Sequence, residues 1–128
     1  IKIYYKNDKK DKYFIYGIEN RIEQIVANLL DNAVSFSEDN KEIIVRVSKS
    51  NDNKVILNIL DEGEGLKEKD INKIFKRFYS NRPNKFGEHS GLGLNIVKNL
   101  VDLHNASIKA SNRLNQKGAN MEVIFPKV

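Results

Sequence analysis

Two asparagines four residues apart, Asn28 and Asn32, stand inside the stretch RIEQIVANLLDNAVSFS from Arg21 to Ser37. A side-chain amide oxygen is a neutral, hard donor of the kind that shares a Mg²⁺ shell with water and nucleotide phosphates. Asn is also a mediocre helix former, because its amide competes for backbone hydrogen bonds. Two of them on one helical line are either an ordinary solvated face or part of a ligand site. Their company along the chain weighs toward the site. Asp61-Glu62-Gly63-Glu64-Gly65 combines a carboxylate, able to accept from an exocyclic amine, with glycines that leave room for a flat ligand. Taken alone, that segment reads more readily as a turn capped by its own Asp. Gly91-Leu92-Gly93-Leu94 opens an apolar-periodic stretch with free N–H donors and no Cβ in the way, which is what a phosphate group needs.

These groups require scaffolding. Ile22, Ile25, Val26, Leu29, Leu30 and Ala33 recur at steps of three and four, which predicts a helix with one buried stripe and a polar line through Gln24, Asn28 and Asn32. Asn20 is the expected N-cap, with Glu23 closing a capping box. Ahead of it, Ile1 to Asp8 and Lys12 to Gly17 alternate as a strand hairpin would. Glu42 to Ser48 and Lys54 to Leu60 form a second hairpin across SNDN. In KEKDINKIFKRFYS a short helix is expected behind Asp70, with Ile71, Ile74, Phe75 and Phe78 as its stripe. Asn81 to Ser90 has no periodicity and reads as a loop. The last helix runs to His104-Asn105, where Asn105 takes a left-handed cap and His104 is structural. SIKASN and ANMEVIFP close the chain as two strands about the turn RLNQKG. The whole reads as an α/β two-layer sandwich, a mixed sheet of about five strands with three helices on one face.

Bulk properties narrow the partners. At 128 residues the chain is one domain, 1–128, and it has no cysteine for a disulfide or thiolate metal site. The net charge of +5 comes from 22 basic against 17 acidic residues that are intermixed, without an arginine cluster, so nucleic acid is not expected. No run approaches the roughly eighteen apolar residues of a membrane span, and no membrane contact is expected.

Four ordered segments now stand together: Asn28-x-x-x-Asn32, Asp61-x-Gly63-x-Gly65, Phe75 to Tyr79, and Gly91-x-Gly93. They resemble the asparagine, glycine, phenylalanine and second glycine boxes of the ATP-binding domain of sensor histidine kinases. This is the Bergerat fold, shared with DNA gyrase, the large ATP-driven heat-shock chaperone and a mismatch-repair ATPase. The resemblance spans nearly the whole chain. It implies that ATP and Mg²⁺ are the cofactors, with Asn32 on the metal and Asn28 beside the phosphates as part of the transfer machinery. It implies that Asp61 reads the adenine amine, that Gly63 and Gly65 shape the base pocket, and that Phe36 covers the base. Arg82 to Ser90 would be the ATP lid, Phe75 and Phe78 its anchors, and Ser90 with Gly91, Leu92, Gly93 and Leu94 the phosphate-binding helix start. The implied partners are a separate dimerisation and phosphoacceptor helical domain and a response regulator. The parent would be a homodimeric bacterial inner-membrane sensor, with this domain in the cytoplasm.

The departures from the family pattern are informative. A Lys and a Tyr often stand where this chain has Ser35 and Phe36, and an Arg often follows where Ser80 stands. Ser35 supplies no charge, so Arg82 or Lys85 is expected to replace it. Family members usually carry Asp at the position of Ile18 and His-Gly-Gly where this chain has His104-Asn105-Ala106. Relatives that hydrolyse ATP place a general-base Glu where Asn28 stands, and an amide cannot take a proton from water. The expected chemistry is therefore transfer of the γ-phosphate to a histidine. The alternative is a degenerate, non-catalytic nucleotide-binding or docking module of the same fold, favoured by Ser35 and Ser80.

Overall fold

The computed structural model describes residues 12–37, 41–66, 73–76 and 93–128 in full and residues 2–7 and 71–72 as backbone. Strands β1 (Lys2–Asn7), β2 (Glu42–Lys49), β3 (Val55–Leu60), β4 (Ser107–Asn112) and β5 (Ala119–Phe125) form one sheet in the order β1-β2-β3-β5-β4. The β1–β2 pair is parallel and the other three pairs are antiparallel, so the sheet is mixed, as expected. β5 alternates buried and half-buried residues along its whole length, the mark of a strand with one face on a core. That face carries Met121, Val123 and Phe125, joined by Ile43, Val55, Leu57, Ile59 and Ala110 from the neighbouring strands. Helices α1 (Glu19–Phe36) and α2 (Gly93–Leu103) cover it with Ile25, Leu29 and Ala33, and with Val97 and Val101. Of the third expected helix, the described residues form a 3₁₀ helix, Ile71–Phe75, whose Ile74 and Phe75 enter the same core.

Two local expectations are corrected. Residues 12–17 are not a strand, and β1 has no hairpin partner there. Because β1 runs parallel to β2, the chain must cross over the sheet between them, and α1 is that crossover. The alternation that suggested a strand has another cause: Tyr13 and Ile15 pack against the core, while Phe14 and Tyr16 are exposed. Alternating burial of the side chains, without a strand ladder, accounts for the pattern.

The second correction concerns the start of α1, which begins at Glu19 with Ile18, not Asn20, as its N-cap. Ile18 makes no side-chain cap; its carbonyl accepts from the N–H of Arg21 and Ile22 at 2.9 and 3.0 Å. Its own N–H donates to Nε2 of His104 at 3.1 Å, and Nδ1 of that imidazole donates to the Leu100 carbonyl at 2.8 Å. His104 is structural, as expected, and fastens the end of α2 to the start of α1. Asn105 has φ 56° and closes α2 with bonds from its N–H to Asp102 and from Ala106 to Val101, a Schellman end. Ile18→Asp is expected to stabilise the domain by about 1 kcal/mol, a few degrees in melting temperature, because it supplies the missing cap oxygen. Thermal denaturation of the two proteins checks this.

Candidate nucleotide-binding site

Asp61 follows β3 directly on the buried face and is 3% exposed. Its Oδ1 accepts from the N–H of Gly63 at 2.9 Å and of Ala119 at 3.1 Å. Its backbone N–H donates to the Ala119 carbonyl at 3.0 Å. Burial raises the carboxyl above its ordinary value, opposed by the two backbone N–H donors and by the charge of Arg113. Among the described residues both side-chain hydrogen bonds fall on Oδ1, so Oδ2 has acceptor capacity for a ligand.

The end of α1 meets this turn. A Cβ on Gly63 would stand 2.5 Å from the Phe36 carbonyl, a contact only glycine permits. Asn32 is buried on α1, one turn before Phe36, and Asn28 is half-buried one turn earlier. The structure thus brings the asparagine helix and the Asp61 turn together. Phe36 and Gly63 line an open cleft of about 200 Å³ with Lys41, Glu62, Glu64, Gln116 and Lys117. Ser35 is buried, its hydroxyl donating to the Asn32 carbonyl at 2.9 Å, so it presents no charge at that position. Gly65 has φ 85° and abuts Asn112, whose amide oxygen accepts from the Leu66 N–H at 2.6 Å.

Gly93 and Leu94, half-buried, form the first turn of α2. Asn95 in that turn donates to the Phe75 carbonyl at 3.2 Å, tying α2 to the 3₁₀ helix. Phe75 is a core residue, as expected. Phe78, Ser80, Arg82, Lys85, Ser90, Gly91 and Leu92 lie outside the described residues.

Sequence reasoning missed the third wall of the site, the hairpin between β4 and β5. Arg113 donates from Nη1 to the Asp61 carbonyl at 3.0 Å, and its backbone N–H donates to Gly118 at 2.9 Å. Gly118 has φ 133°, and a Cβ there would collide with the Asp61 carbonyl. The glycine closing RLNQKG was the available signal, and it read only as a turn. Gly118→Ala is expected to cost about 1–3 kcal/mol and to loosen nucleotide binding through Asp61. Denaturant unfolding and nucleotide titration measure the two effects.

Comparison with known proteins bears on this geometry. The family model for the histidine kinase-, DNA gyrase B- and HSP90-like ATPases matches residues 17–128. The chain belongs to this ATPase family. The matched span starts just before α1 and includes every site element described above. Among curated relatives of these ATPases, the sensor protein ChvG of Agrobacterium fabrum is 40% identical over 116 residues, 88% of this chain and 19% of that protein. The chain spans about a fifth of the length of the first curated relatives it matches. Among solved structures, a mycobacterial sensor histidine kinase, MprB, superposes with a TM-score of 0.86 at 23% identity, over 98% of this chain and 82% of that one. Full-length ShkA in complex with AMPPNP superposes with a TM-score of 0.82 at 25% identity, over 98% of this chain and 25% of that one. The fold is that of the histidine kinase ATPase domain.

Proposed function

We propose that the domain binds ATP with Mg²⁺ and transfers the γ-phosphate to a histidine on a separate helical domain of its parent protein. The observation that carries this is the buried Asp61 carboxylate, held through Oδ1 by two backbone N–H groups beside the end of the asparagine helix. An acceptor fixed in this way suits an exocyclic amine, which adenine has. The AMPPNP complex of ShkA supports an adenine nucleotide.

The donor set also fits magnesium. No group of three or more His, Cys, Asp or Glu able to hold a metal occurs among the described residues. A Mg²⁺ ion held as proposed would draw most of its shell from phosphate and water, with the Asn32 amide oxygen as its protein ligand. Bound Mg²⁺ would neutralise charge on the phosphates. Asn28 would lie beside the phosphates, where an amide cannot deprotonate water, so hydrolysis is disfavoured relative to transfer. The rest is positioning: Asp61 fixes the base, Phe36 covers it, and Gly93 and Leu94 present helix N–H groups to phosphate. In this reading Phe78, Arg82, Ser90, Gly91 and Leu92 complete the site.

In this proposal the parent is a bacterial sensor kinase that dimerises and passes phosphate to a response regulator; the relative ChvG is a sensor protein, and the structural neighbour ThkA was solved in complex with a response regulator protein. No described helix is long and apolar enough to cross a membrane. On the same proposal, that parent is an inner-membrane sensor and this domain lies on its cytoplasmic side. The isolated domain should bind ATP yet self-label negligibly with radioactive ATP; adding the parent's phosphoacceptor domain should produce an acid-labile, base-stable phosphohistidine. Strong labelling of the domain alone would contradict this. A second reading, a nucleotide-binding module without transfer, is favoured by Ser35, whose hydroxyl is spent on Asn32. It predicts ATP binding but no phosphohistidine in the completed protein.

A further inference from the structure

The purine-reading carboxylate is braced by a side chain from the other end of the chain. Arg113 sits between β4 and β5, half-buried, and makes two contacts of different kinds. Its backbone N–H closes the hairpin on Gly118 at 2.9 Å. Its guanidinium reaches across to the main-chain carbonyl of Asp61 at 3.0 Å. The next residue along the hairpin, Ala119, holds Asp61 twice, through its carbonyl and through its N–H on Oδ1. We propose that Arg113 is a positioning residue for nucleotide selection, locking the Asp61 peptide so that Oδ2 presents an ionised acceptor to the 6-amine of the base.

The two contacts separate this role from simple hairpin stability. The backbone bond to Gly118 survives any substitution at position 113 other than proline, whereas the bond to the Asp61 carbonyl needs a long side chain ending in a donor. Rotation of that peptide would pull Oδ1 away from Gly63 and Ala119 together and turn Oδ2 from the base. The charge also matters, because Asp61 is desolvated and must stay anionic to accept from an amine. Among the described groups acting on this carboxyl, Arg113 is the one cation, and its field opposes the effect of burial.

This inference rests on Asp61 reading adenine, so the test measures selectivity for the amine rather than affinity alone. ATP and purine riboside triphosphate, which lacks the 6-amine, are titrated into wild type, Arg113→Met and Arg113→Lys. Wild type should prefer ATP by about tenfold or more, the worth of a hydrogen bond to a charged acceptor. Arg113→Met, which keeps the aliphatic stem, should lose at least about half of that preference on a logarithmic scale, mostly through weaker ATP binding. Arg113→Lys should recover it. Thermal melts of all three confirm that the domain is folded. Equal weakening of both nucleotides by Arg113→Met, or no change in either, would overturn the proposal while leaving the adenine reading intact. A wild type without preference would overturn the adenine reading itself, and this inference with it.

Discussion

Asp61→Asn should weaken ATP binding by about tenfold or more while leaving the melting temperature at neutral pH unchanged or slightly raised. The two outcomes separate because the two oxygens of the carboxylate do different work. Oδ1 accepts from Gly63 and Ala119, and an asparagine Oδ1 can do the same, so the turn survives. The second oxygen becomes an NH₂ donor, which would face the donor amine of adenine. Stability moves the other way because the charge is buried. The Asp61 carboxyl is raised in the folded protein, so folding binds its proton more tightly than the unfolded chain does. Its contribution is most favourable below the ordinary carboxylate range and is lost as pH rises through the folded value. The variant lacks that loss, so its melting temperature relative to wild type should be higher at pH 7 than at pH 4. A variant that melts lower at pH 7 and binds ATP normally would remove Asp61 from the site.

Asn32→Ala should abolish the part of ATP affinity that depends on magnesium, about 10- to 100-fold, and leave binding in EDTA nearly unchanged. Asn32 is 7% exposed, so the substitution also costs packing, and the comparison is made within the variant, with and without metal. Stability changes cancel in that difference. Calorimetric titration at both conditions reads it directly. Equal losses with and without Mg²⁺ would assign Asn32 to the scaffold instead of the metal.

What could be read from sequence follows the range of the physical signal. The α1 stripe, the two closing strands, the β2–β3 hairpin and the left-handed Asn105 are set by residues within a few positions of one another, and each is found in the structure. The stretch from Lys12 to Gly17 misled because burial of Tyr13 and Ile15 imposes the period of a strand without a ladder. Asn20 misled because its side chain suits a cap, whereas the helix starts behind Ile18, whose own N–H is held by His104, 86 residues away. For the candidate site, Asp61 and its glycines were marked by the resemblance of four ordered segments, since the five residues alone read as a capped turn, and the bond from Gly63 to Asp61 is found. Arg113 and Gly118 were not, because their meaning depends on β5 lying beside β3, a pairing that joins Leu60 to Asn120. No local pattern in RLNQKG reports that neighbour.

That dependence has a consequence for biogenesis. The carboxylate at position 61 is assembled only when residues 113 to 119 have docked against it, and those residues are made after α1, the glycine turn and α2. A ribosome that has released β1 through α2 has produced the asparagine helix and the glycine turn, but not the pairing that orders the turn. Nascent chains halted before β5 should therefore be blind to nucleotide, and competence should arrive in one step when the final strand inserts.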